Sequence, residues 1–143
     1  MNYLLDTNVL SEATREQPDG LVAAWLSERK TEECYISVVS VAEIRKGILM
    51  LPQGKKRKKL ENWLAEELLP AFIERVITLG EEEMNTWAML QVEAEKEGRK
   101  LPVVDSLIAA TARCHELTLA TRNIQGFQHC KIPVLNPWIK QKR

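Results

Sequence analysis

Short apolar rows alternate with longer amphipathic stretches along this chain. Tyr3-Leu4-Leu5 stops at Asp6, and Tyr35-Ile36 and Leu117-Thr118-Leu119-Ala120 repeat the pattern. Between these rows, apolar residues recur at helical spacing, as in Leu60, Trp63, Leu64 and Leu68. The pattern predicts strand 3–6, helix 9–14, helix 19–29, strand 34–38, helix 40–51, helix 54–69 and strand 73–78. It continues with helix 80–98, helix 103–115, strand 117–121, a short turn at 123–127 and strand 132–135. Strands that alternate with helices, joined by connections too long for hairpins, argue for an α/β fold with a mostly parallel sheet covered by helices. Local signals agree: Pro18-Asp19-Gly20 is turn chemistry, Ser40-x-x-Glu43 has the form of a capping box, and Pro102 suits a helix start.

The 143 residues suit one domain, 1–143, able to bury roughly two thirds of its unfolded surface. No twenty-residue apolar run occurs, and the N-terminus lacks the basic n-region of a signal peptide. A cytoplasmic protein without membrane contact is the expectation. The three cysteines, Cys34, Cys114 and Cys130, form no CxxC pair, which argues against a disulfide framework. Cys114-His115 and His129-Cys130 are neighbours, but adjacent side chains rarely chelate one ion well, so a zinc site is not expected. Formal net charge is zero, which excludes a general polyanion binder.

Ligands in an open parallel sheet collect at the carboxyl ends of the strands. Asp6 ends the first strand, Thr121, Arg122 and Asn123 follow a later one, and Glu43 and Asp105 lie in the first turns of helices that could point at the same rim. Each acid also has a plainer account. Asp6 within Asp6-Thr7-Asn8 can cap a helix, and Glu43 can complete the capping box or pair with Lys46. Asp105 is harder to dismiss, because Ile108, Ala109 and Ala112 share its helical face, where a carboxylate is normally avoided. If Asp6, Glu43 and Asp105 converge, each pair of charges at about 4 Å repels by about 4 kcal/mol at an effective dielectric of 20. A hard divalent cation removes that penalty, and oxygen ligands suit Mg²⁺ or Mn²⁺. The chemistry that follows is metal-assisted hydrolysis of a phosphodiester.

The run Gly54-Lys55-Lys56-Arg57-Lys58-Lys59 concentrates five positive charges. It is either the solvated start of a helix or a phosphate-contacting surface, and like charges there oppose the helix dipole. Trp25, Trp63 and Trp87 fall at helical spacing and read as core or dimer-face residues rather than base-stacking platforms.

"LLDTNVLSE", "ISVVSVAEIRKGI", "LPVVDSLIAATA", "LTLATRNIQGF" and "IPVLNPW", in that order, resemble the PIN-domain ribonucleases, most closely the VapC and FitB toxins of bacterial type II toxin–antitoxin pairs. The resemblance implies a three-layer α/β/α sandwich and an RNA endonuclease dependent on Mg²⁺ or Mn²⁺. It also implies a homodimer that assembles with a cognate antitoxin. Position by position, Asp6, Glu43 and Asp105 match the acidic metal-binding residues, with Asn8, Thr121 and Asn123 as supporting polar residues. RNA contacts are expected from Lys55, Lys56, Arg57, Lys58, Lys59 and Arg122. Related sequences often carry a fourth acid where this chain has Gly126, which weakens the case for a second metal. The alternative is a PIN fold that binds RNA or a partner without cutting. A phosphatase with a nucleophilic Asp6 is the other rival, but Asn8 stands where that chemistry needs a second Asp.

Overall fold

The computed structural model describes residues 1–142. Five strands, β1 (Tyr3–Leu5), β2 (Cys34–Ser37), β3 (Val76–Ile77), β4 (Thr118–Ala120) and β5 (Val134–Leu135), form one sheet in the order β3-β2-β1-β4-β5. Every pairing is parallel, with Tyr3 opposite both Cys34 and Thr118, and Leu119 opposite Val134. The helices are α1 (Thr7–Glu12), α2 (Gly20–Ser27), α3 (Val38–Leu49), α4 (Lys55–Trp63), α5 (Leu69–Ala71), α6 (Glu81–Lys96) and α7 (Val103–Cys114). None is long and apolar enough to cross a membrane among the described residues.

The strands are short and apolar because helices cover both faces of the sheet. Side chains of β1 point alternately to the two sides. Tyr3 and Leu5 join Val9, Leu10, Val22, Trp25, Ile44 and Ile48 in one core. Leu4 joins Leu90, Ile108, Ala109, Leu119 and Phe127 in the other. The result is the three-layer α/β/α sandwich, with α1 to α4 supplying most of one outer layer and α6 and α7 the other. Trp25 is 5% exposed and meets Tyr3 edge to face, their ring centroids 5.0 Å apart. The row of alanines on α7 leaves room for the sheet to approach, and Trp87 Nε1 donates to Ser106 Oγ at 2.9 Å to tie α6 to α7.

Several boundaries differ from expectation, each for a local reason. Helix α1 starts at residue 7 rather than 9, because Asp6 Oδ1 accepts the Thr7 N–H at 2.8 Å. Helix α3 starts at 38 rather than 40, because Ser37 is its cap and accepts from Val39 N at 3.0 Å. The capping box expected from Ser40 and Glu43 is therefore absent: Ser40 lies inside the helix, buried, with an unpartnered hydroxyl. The expected helix 54–69 is α4 followed by a π-turn at Leu64–Leu68 and then α5, with Leu69 N bonded to Leu64 O. The ring of Pro70 would clash with the carbonyl four residues back in a regular helix, and the widened turn precedes it. Strand β3 is shorter than 73–78 because Glu74 takes a φ of 67° and Arg75 N bonds back to Phe72 O at 2.8 Å. Strand β5 begins after Pro133, which has no N–H to donate.

The two serines make a direct test of the α3 boundary. Ser37→Ala removes a cap and should lower stability by about 0.5–2 kcal/mol. Ser40→Ala removes a buried, unpartnered hydroxyl and should leave stability unchanged or raised. Urea unfolding of both variants checks the pair, and the reverse order would restore the Ser40 capping box.

Candidate active site

Strand order creates the site. The chain runs outward through β2 and β3 on one side of β1, then returns to build β4 and β5 on the other, so the crevice between the ends of β1 and β4 is the switch point. Asp6 follows β1 directly and Thr121 follows β4. Glu43 comes from the second turn of α3, and Asp105 from the first turn of α7. These four residues, 115 positions apart at the extremes of the sequence, meet at one rim.

Asp6 is 6% exposed and Thr121 fully buried. Thr121 Oγ1 donates to Asp6 Oδ2 at 2.7 Å, while Thr7 N holds Asp6 Oδ1. Asn8 Nδ2 lies 3.4 Å from both Asp6 Oδ2 and Thr121 Oγ1. Thr7 Oγ1 donates to Glu43 Oε1 at 2.5 Å, so one residue braces two of the acids. Thr7 stood out in the sequence only as part of the Asp6-Thr7-Asn8 run, and its link to Glu43 spans 36 positions that no local pattern reveals.

Like charges gather at the rim. Burial pushes the Asp6 carboxyl above its ordinary value of 3.8, the Thr121 and Thr7 hydrogen bonds pull it down, and the charges of Asp105 and Glu43 push it up again. Asp105 is raised by burial first and then by Glu43. Among the described residues, no lysine, arginine or histidine forms an ion pair with any of the three. The first turn of α7 offers Asp105 the positive end of a helix dipole, typically under 1 kcal/mol of help.

A cleft of about 180 Å³, lined in part by Thr7, Glu43, Ile44 and Trp63, opens beside Glu43. It shares Thr14, Gly47, Leu60 and Trp63 with a wider groove of about 1200 Å³ that Lys55, Lys56 and Lys59 line. Three of the five cations of the basic run thus border a path toward the acids. Lys58 faces a separate concavity with Glu61. Arg57 turns inward, its guanidinium 3.3 Å from Leu51 O and 3.6 Å from Glu61, and closes the turn before α4 rather than facing the groove. Arg122 lies over the Trp138 ring at 5.2 Å.

The PIN domain profile matches residues 3–131. The chain belongs to the PIN-domain family. Toxin FitB of Neisseria gonorrhoeae is 40% identical over 135 residues, covering 94% of this chain and 97% of that protein. VapC ribonuclease Y4jK of Sinorhizobium fredii is 37% identical, covering 94% and 96%. A solved structure of FitAB bound to an IR36 DNA fragment superposes with a TM-score of 0.92 at 37% identity, over 98% of each chain. The crystal structure of FitAcB from Neisseria gonorrhoeae gives 0.90 at 40% identity, over 95% of this chain and 98% of that one.

In this PIN domain the turn after Thr121 has its own logic. Asn123 N donates to Thr121 Oγ1 at 3.0 Å, so the backbone of Asn123, not its side chain, braces the cluster. The Asn123 side chain instead accepts from Gly126 N at 3.2 Å. A Cβ on residue 126 would sit 2.4 Å from Asn123 Nδ2, so a fourth acid there requires Asn123 to swing away. Gly126 and Asn123 are matched to each other. Glu12, a second acid that the sequence did not single out, is 5% exposed but accepts from Asp19 N at 2.8 Å and anchors the start of α2.

The raised carboxyls give a stability prediction with a definite sign. A carboxyl whose folded pKa exceeds its unfolded value costs stability once the pH is above both, and that cost disappears as the pH falls through them. In EDTA at pH 7, Asp105→Asn should therefore melt at a higher temperature than the parent protein. The gap should shrink as the pH approaches 3.8. A variant that is less stable at pH 7 would mean the Asp105 charge is compensated in the fold.

Proposed function

We propose that this chain is a divalent-metal-dependent endoribonuclease and the toxin of a toxin–antitoxin pair. The observation that carries the proposal is the convergence of Asp6, Glu43 and Asp105 at the sheet's switch point with, among the described residues, no cation paired to any of them. The toxin and ribonuclease names of the relatives agree with it. The donor set fits the cofactor: three carboxylates, all oxygen, buried or half-buried, with Asp6 and Asp105 raised by burial and neighbouring charge, are what a hard ion such as Mg²⁺ or Mn²⁺ stabilises. When bound, the ion supplies the positive charge that stabilises the phosphoryl oxygens and acidifies water for hydrolysis.

The chain's own residues do the rest. Thr121, Thr7 and Asn8 hold the Asp6 oxygens, and the Thr7 hydroxyl fixes Glu43, so two of the three acids are oriented in advance. The three do not place one oxygen each within 4.8 Å of one another, so side-chain adjustment would close the set on an ion. Lys55, Lys56 and Lys59 attract the sugar–phosphate backbone into the groove and leave sequence choice to other contacts. Trp63, half-buried at the junction of cleft and groove, bounds the path apolarly. Neither histidine lies in this site, so no histidine acid–base pair is available to cut RNA without metal. A homodimer has apolar surface to use, since Met89, Val92 and Val103 are 49–64% exposed. The same acidic rim is the natural target of a basic segment from an antitoxin.

The test is cleavage of total RNA by purified, partner-free protein. Activity should require Mg²⁺ or Mn²⁺, stop in EDTA, and fall at least about a hundredfold in Asp6→Asn and Asp105→Asn while both variants stay folded. Undiminished cleavage in EDTA would end the metal mechanism. RNA bound but never cut by the parent protein would leave only the binding role.

A further inference from the structure

The far end of α7 gathers three side chains of mixed chemistry, about nine residues along the helix from Asp105. Glu83 stands in the first turn of α6, and Cys114 and His115 close α7. One ligating atom from each lies within 4.8 Å of the other two. His115 Nε2 is 2.6 Å from Glu83 Oε2, and Glu83 Oε1 accepts from Gly80 N at 2.8 Å. Glu83 is 8% exposed, Cys114 half-buried and His115 at the surface.

We propose that Glu83, Cys114 and His115 form a second metal site, selective for a thiolate-seeking divalent cation of the Zn²⁺ class and separate from the acidic rim. Adjacent Cys114 and His115 make a poor chelate by themselves. The third donor, from another helix, changes that. Donors around a tetrahedral Zn²⁺ at roughly 2.0–2.3 Å stand about 3.3–3.8 Å apart, so a separation bounded by 4.8 Å closes with side-chain adjustment alone. Gly80 N–H occupies one oxygen of Glu83 and turns the other toward His115, the kind of outer contact that orients a ligand. Among the described residues, no lysine or arginine pairs with Glu83, so no resident cation competes.

Sulfur decides the selectivity. Mg²⁺ prefers oxygen and leaves this site empty, whereas Zn²⁺ takes thiolate, imidazole and carboxylate together. On binding, the Cys114 thiol proton passes to solvent, the His115 ring donates a nitrogen lone pair with its N–H on the other nitrogen, Glu83 gives a carboxylate oxygen, and these three bonds replace waters of the hydrated ion. The fourth position remains for solvent. The ion ties the start of α6 to the end of α7, the helix whose other end presents Asp105, and so raises the stability of the folded chain.

Co²⁺ is the probe, added to reduced full-length protein in excess Mg²⁺ so that oxygen-only sites are filled. One equivalent should bind with an intense sulfur-to-cobalt absorption band and tetrahedral visible bands. Zn²⁺ should displace it and raise the melting temperature. Cys114→Ser should lose the sulfur band, and His115→Gln, at an exposed position, should bind Co²⁺ at least about tenfold more weakly while remaining folded. Absence of the sulfur band in the parent protein overturns the proposal. So does a band that survives in Cys114→Ser, which would place the metal on Cys34 or Cys130, or undiminished affinity in His115→Gln.

Discussion

Mutual repulsion among three carboxylates is the constraint around which this structure is arranged. Asp6, Glu43 and Asp105 come from a strand end and two helices, and the fold holds them at one rim with no ion-pair partner among the described residues. A parallel sheet that turns back on itself beside β1 makes that arrangement possible, because every strand end and every following helix start lies on the same side. The fold then spends stability on the site: burial and neighbouring charge both resist ionisation of Asp6 and Asp105. Such opposition persists where an ion is expected to remove it.

The surroundings of the acids are rigid for identifiable reasons. Thr121 is fully buried, receives the Asn123 N–H and donates to Asp6, so its rotamer is fixed from both sides. Thr7 links the first turn of α1 to α3 through Glu43. Helix α7 carries Asp105 on a scaffold of alanines packed beneath the sheet, with Trp87 and Ser106 locking it to α6. The groove beyond Glu43 is a different environment, open and bordered by Lys55, Lys56 and Lys59, where long solvated side chains meet a flexible polyanion.

Much of this was legible in the sequence because it follows from periodicity. The alternation of short apolar rows with amphipathic stretches gave the sheet, its parallel sense and the helical layers, and Asp105 on an apolar face announced a charge without a partner. What escaped depends on contacts between distant positions or on competition between close ones. Ser40 was the expected cap of α3, but Ser37 at the end of β2 accepts the Val39 N–H and takes that role. Arg57 looks like its four basic neighbours, yet Glu61 and the Leu51 carbonyl draw it inward. Asn123 resembles a site residue, but its side chain serves Gly126. Cys114 and His115 look inert as neighbours until Glu83, 32 positions from His115, closes the group.

A single divalent-ion site shared by the three carboxylates is the proposal on which the function rests. Its most direct measurement is anomalous diffraction from crystals of the protein soaked in Mn²⁺. The expected result is a manganese peak among the oxygens of Asp6, Glu43 and Asp105, with Thr7 and Thr121 keeping their hydrogen bonds to the ligands. Mn²⁺ bound elsewhere, with this rim empty and its acids neutral, would contradict it.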